Sequence, residues 1–92
     1  MDKLTFTGQL ESLEIGESLV KVERLPLEGA TAEDITKTVT RVRNGCSQIT
    51  NRISKKQEQY YQVESLTTLT PDRTGVFCMA VVTRVDGDEI DI

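Results

Sequence analysis

Six apolar side chains, Ile35, Val39, Val42, Cys46, Ile49 and Ile53, recur at spacings of four, three, four, three and four residues. A strand repeats every two residues, so this period predicts one stripe of an amphipathic α-helix. Read over residues 35–56, the helix is about 33 Å long at ~1.5 Å per residue, and whatever the remaining chain forms must lie against its stripe. Gly45 interrupts the run at a cost of about 1 kcal/mol relative to Ala, and marks a kink, a close approach or neither. The β-branched content is high, so packing rather than intrinsic propensity must hold the helix. Thr31 is a good N-cap, with Glu33 and Asp34 placed to complement the helix dipole and Asp34 close to the capping-box spacing.

The flanking segments alternate as strands do. Leu4-Thr5-Phe6-Thr7 fits a half-buried strand, and Leu10 and Leu13 fit a short helical turn within Gln9–Ile15, stopped by Gly16. Ser18–Leu25 predicts a strand with Leu19, Lys21 and Glu23 on one side and Val20, Val22 and Arg24 on the other, ending at Pro26. Residues 58–70 predict another, with Tyr61, Val63 and Ser65 opposite Tyr60, Gln62 and Glu64. Pro71-Asp72-Arg73-Thr74-Gly75 is a turn signal. Residues 76–85 form the most apolar strand, with Phe77, Met79, Val81 and Val85 on one face and Val76, Cys78, Ala80 and Val82 on the other. A strand apolar on both faces is either central or covered by a dimer partner. The expected fold is therefore α+β, a single domain over residues 1–85 in the order β-β-α-β-β, with one long amphipathic helix packed on a mainly antiparallel sheet. Residues 86–92 form an acidic C-terminal tail.

At 92 residues, there is room for one core only. The chain has no histidine, which removes the commonest general base and the commonest transition-metal ligand. Two cysteines, Cys46 and Cys78, do not make a zinc site, and each lies in an apolar pattern, where a buried reduced thiol is expected. Glu11, Glu14 and Glu17 have no evident partner for acid–base work. Asp86-Gly87-Asp88-Glu89 lacks the spacing of a calcium loop. The reading is thus of a protein that is not an enzyme, with no catalytic residue, no metal and no cofactor. No apolar segment approaches the ~20 residues of a membrane span or the core of a signal peptide, so a cytoplasmic protein with no membrane partner is expected.

Charge is unevenly distributed. The formal net charge is −4, yet residues 35–56 carry six basic residues and no acidic one. Residues 1–34 carry eight acids and three bases, and residues 57–92 seven acids and two bases. On the helical wheel Lys37, Arg41, Gln48, Arg52 and Lys55 fall opposite the apolar stripe, Asn44 and Asn51 flank them, and Arg43 and Lys56 stand toward the edges. Solvated helix faces usually mix signs through i,i+4 pairs, and this segment contains none. A charge run of this kind is either a plain solvated face or an electrostatic footprint.

Two partners fit such a footprint. A helix presenting Arg, Lys, Asn and Gln contacts nucleic-acid phosphates and reaches base edges in a major groove. On that reading DNA or RNA binds at Lys37, Arg41, Arg43, Asn44, Gln48, Asn51, Arg52, Lys55 and Lys56, with Ser47 also near the bases. Tyr60 and Tyr61, if exposed, would stack on unpaired bases. The alternative is a protein partner, bound by the basic row or by the acidic body.

The pieces Leu10–Leu13 with Gly16-Glu17-Ser18, the basic helix, Tyr60–Val63 and Val82-Thr83-Arg84-Val85 together resemble small phage and prophage accessory proteins. The likeness spans most of the chain. It implies a nucleic-acid-binding protein, or a phage-encoded inhibitor of a host factor, located in the host cytoplasm. The acidic tail with Ile90 and Ile92 is similar to the protein-docking tails of single-stranded-DNA-binding proteins. The expected function is a non-enzymatic module that binds nucleic acid through the basic helix face, with the host-factor inhibitor as the alternative and a homodimer as an expected assembly.

Overall fold

Five elements follow one another: α1 (Phe6–Glu11), β1 (Ser18–Pro26), α2 (Ala32–Gln57), β2 (Tyr60–Leu69) and β3 (Gly75–Val85). They come from a computed structural model that describes residues 5–87. Most of the expected acidic tail, from Asp88 onward, and Leu4 lie outside the described residues. The fold is α+β, and the long helix and the last three strands fall where the sequence places them.

The first expected strand is replaced by a helix. Thr5 Oγ1 accepts the backbone N–H of Gly8 at 3.0 Å, which caps α1. Phe6, Leu10 and Leu13, spaced four and three, then pack on the core as one helical face. Four alternating residues were too short a signal to oppose that spacing. The observed order is α-β-α-β-β.

Capping also starts α2. Thr31 Oγ1 accepts from the N–H of Asp34 (3.1 Å), and Asp34 Oδ2 accepts from the N–H of Thr31 (2.9 Å), a complete capping box. Those hydrogen bonds hold the Asp34 carboxyl below its usual range. At the other end Glu58 is left-handed (φ 55°) and its N–H bonds the Ser54 carbonyl. This ends the helix and delays β2 to Tyr60, two residues after the expected start.

β3 is the central strand, antiparallel to both neighbours, in the order β1-β3-β2. β1 and β2 therefore run parallel to each other, and α2 is the crossover between them. Residues paired across an antiparallel ladder share a face. Leu19, Val82 and Val63 form one rung on the helix side, and Lys21, Ala80 and Ser65 the next. Leu10, Val42, Cys46, Ile53, Ala80 and Val82 form the core, and the small Cys46, Cys78 and Ala80 are all fully buried. Both cysteines are free, and burial pushes both thiols up, away from the reactive thiolate.

The buried face of α2 includes two threonines that the apolar periodicity leaves out. Thr38 donates to the Asp34 carbonyl (2.9 Å) and Thr50 to that of Ser47 (3.0 Å). Each hydroxyl is satisfied within the helix, so each side chain enters the core without an orphaned polar atom. The hairpin between β2 and β3 is built on Asp72. Its Oδ1 accepts from Thr70 Oγ1 (2.6 Å), Thr74 Oγ1 (2.8 Å) and the Thr74 N–H (3.0 Å), which lowers its pKa to about 2.

Candidate nucleic-acid interface

The basic side chains of α2 point outward because the opposite stripe is committed to the sheet. Lys37, Arg41, Arg43, Asn44, Gln48, Asn51, Arg52, Lys55 and Lys56 are all exposed. From Lys37 to Lys55 the row is about 27 Å long.

The structure does not bring these nine residues into one uniform patch. Arg52, Lys55 and Lys56 lie within a single turn, at i, i+3 and i+4. Lys37 and Arg41 form a second pair, about 17 Å away along the axis. Asn44, Gln48 and Asn51 occupy the stretch between them. Arg43 stands about 180° around the axis from Arg52, on the other flank of the helix.

The two cationic groups differ electrically. Lys37 meets Glu33 at 3.3 Å, an i,i+4 pair. The helix starts three residues before the segment read as its beginning, so the expectation of no such pair is corrected. Arg41 is paired with Glu23 of β1. Both pairs are largely exposed and contribute at most about 1 kcal/mol each. Among the described residues, Arg43, Arg52, Lys55 and Lys56 have no carboxylate within ion-pair distance. Lys55 and Lys56 also sit in the last turn, where they complement the helix dipole.

Gly45 sits on the outer face, in an unbroken helix, with open space where a Cβ would stand. It marks neither a kink nor a close approach. Together with Thr36, Lys37, Thr40, Arg41, Asn44 and Gln48 it lines a shallow open depression. Only the glycine at the centre of a helix solvent face hinted at this in the sequence. A second hollow of about 160 Å³ separates α1 from α2, with Arg52 and Lys56 beside Thr7, Glu11, Ile49 and Ile53. It depends on α1, which the sequence reading placed differently.

Neither tyrosine serves this face. Tyr61 is half-buried on the helix side of the sheet, its hydroxyl donating to the Leu10 carbonyl at 3.0 Å, and burial raises its pKa. Tyr60 is exposed, but on the sheet face turned away from α2. Base stacking beside the basic row, expected if both rings were exposed, is therefore corrected.

Among the described residues no cluster of three or more Cys, Asp or Glu is arranged to hold a metal ion. None of the helices there is long and apolar enough to cross a membrane. In comparison with known proteins, one family model matches, over residues 5–86, and it is described as a domain of unknown function. No curated protein and no solved structure matches.

Proposed function

The chain belongs to the DUF7609 family, and from its residues we propose that it is a non-enzymatic module that binds nucleic acid through the outer face of α2. The observation that carries this reading is the unpaired cluster Arg52, Lys55 and Lys56, with the amides Asn44, Gln48 and Asn51 leading away from it along the same face.

A helix of this diameter fits a major groove about 12 Å wide. Arg52, Lys55 and Lys56 contact phosphates at one end. At the other, Lys37 and Arg41 do so by exchanging exposed carboxylates for phosphate oxygens. The amides between them offer donors and acceptors to base edges. With no aromatic ring on this face, duplex is preferred over single strands. The acidic remainder is repelled by phosphate and leaves one docking orientation.

Fluorescence anisotropy with labelled single- and double-stranded DNA and with duplex RNA tests this. Low-salt binding of duplex should weaken about tenfold in Arg52→Ala with Lys55→Ala, while Arg43→Ala, on the other flank, leaves it nearly unchanged. No binding of any form at low salt would overturn the proposal.

The alternative, an inhibitor that blocks a host protein through an acidic surface, is favoured by one observation. Glu14, Glu28, Glu58 and Glu64 are exposed and form no ion pair among the described residues. The likeness to phage and prophage accessory proteins belongs to this reading as much as to the first. A stable complex with a purified basic host protein, formed without nucleic acid and lost on reversing these charges, would favour it.

A further inference from the structure

The face of the sheet turned away from α2 is apolar, and none of the described residues covers it. Val22, Met79 and Leu66 form its central rung, flanked by Val20 and Val81 on one side and Phe77 on the other. Val20 is 49% exposed, Val22 52% and Leu66 42%. The molecule is only 19 Å along its shortest axis, the thickness of one helix layer and one sheet layer, so no third layer exists within the described residues. Ser18, Thr83 and Gln62 close one end of the patch, and Thr68 lies at the other. An apolar centre with a polar rim is the form of a protein interface.

The charges on this face point to its occupant. Among strand residues it carries two charged groups, Arg24 and Glu64, of opposite sign and on opposite edge strands. Arg24 is level with Phe77 and Glu64 with Val81, so each stands two residues from Met79 along β3, in opposite directions. The two are diagonal about Met79. A two-fold axis lying in the interface, through Met79 and perpendicular to that diagonal, exchanges their positions. Strand spacings of about 4.8 and 3.3 Å make the strands of the two copies cross at about 70°, nearer the orthogonal than the aligned class of sheet packing.

We propose that this face is a self-complementary dimer interface. It buries Val20, Val22, Leu66, Phe77, Met79 and Val81 against the same residues of a second copy and pairs Arg24 of each with Glu64 of the other. The contact is isologous, as a closed dimer requires. Met79 at the axis meets its own equivalent, where a flexible thioether fills an irregular gap well. Two three-stranded sheets, each about 14 Å wide and crossed at about 70°, overlap over a plan area of roughly 200 Å² per copy, and side-chain relief adds to it. This is small beside the ~800 Å² per partner of a standard interface, so the dimer is weak and forms at high micromolar concentration. The two α2 helices then face outward on opposite sides. The inference is independent of what α2 binds.

Sedimentation equilibrium of the whole chain, from micromolar to near-millimolar concentration, tests it. The expected result is a monomer–dimer equilibrium that Leu66→Lys weakens by about tenfold or more. Circular dichroism should show that this variant remains folded, because the replaced side chain is exposed. Glu64→Arg alone weakens the dimer several-fold, and adding Arg24→Glu restores it, since both pairs are then reversed together. A folded protein that stays monomeric throughout, or a dimer indifferent to Leu66→Lys, overturns the interface. A double reversal that stays weak overturns the reciprocal pairing. Arg24 also donates to Thr74 Oγ1 (2.8 Å) and lies over Gly75, so the melting temperature of each variant is measured alongside.

Discussion

Single residues at element ends decide much of this structure. The Thr31–Asp34 capping box was legible because its spacing is a local rule that tertiary context rarely changes. Thr31→Ala should lower stability by about 1 kcal/mol in a denaturant titration. Thr38 and Thr50 were not legible as core residues, because a threonine reads as polar until its hydroxyl is seen to bond its own helix. Gly45 gives the cleanest prediction. Its φ is not left-handed and nothing crowds it, so Gly45→Ala should raise the melting temperature, with a gain of about 0.5–1 kcal/mol. Asp72 makes the hairpin pH-dependent. Its folded pKa of about 2 lies below the usual 3.8, so its contribution is complete above the unfolded value. It is lost as pH falls from about 4 through 2. An acid titration of Asp72→Asn should accordingly show a shallower loss of stability in that window than the parent.

Among the elements, periodicity worked where the segment was long. The six-residue stripe of α2 left little choice of period, and the apolar run of β3, bounded by the turn at Pro71–Gly75, had strand length, and both elements stand as read. α1 was read only in part: the helical turn expected within Gln9–Ile15 begins earlier, at Phe6, because the Phe6, Leu10 and Leu13 spacing overrides the four-residue alternation of residues 4–7. The order β1-β3-β2 was not legible, since a pattern of faces says which residues share a side and nothing about which strand is neighbour to which. The nine candidate residues were all correctly read as exposed. Their division into a neutralised pair and a free cluster was not, because Glu23 reaches Arg41 only once β1 lies beneath α2. That pairing yields a test. Glu23→Gln releases Arg41 and should tighten duplex binding about threefold in low salt, whereas a purely structural ion pair would leave binding unaltered.

For the molecule as a whole, two layers leave two unlike surfaces. One is the cationic, amide-bearing back of α2, and the other the apolar underside of the sheet. The sequence showed both in outline: an acid-free segment, and a strand apolar on either side. What it did not show is that β3 is central and still bare on one face, because burial on that side depends on a layer that the described residues do not supply. Separate surfaces imply separate perturbations. Leu66→Lys should change self-association without altering the salt dependence of nucleic-acid binding, which for the five phosphate contacts of α2 on duplex DNA has a log–log slope of about −4.5.

Amide chemical-shift mapping would locate the proposed nucleic-acid surface on the outer face of α2. ¹H–¹⁵N spectra of the protein would be recorded while a short DNA duplex is added at low salt. The expected shifts are concentrated at Lys37, Arg41, Asn44, Gln48, Asn51, Arg52, Lys55 and Lys56, with β3 unaffected. Shifts confined to the open sheet face, or none at saturating duplex, would contradict this placement.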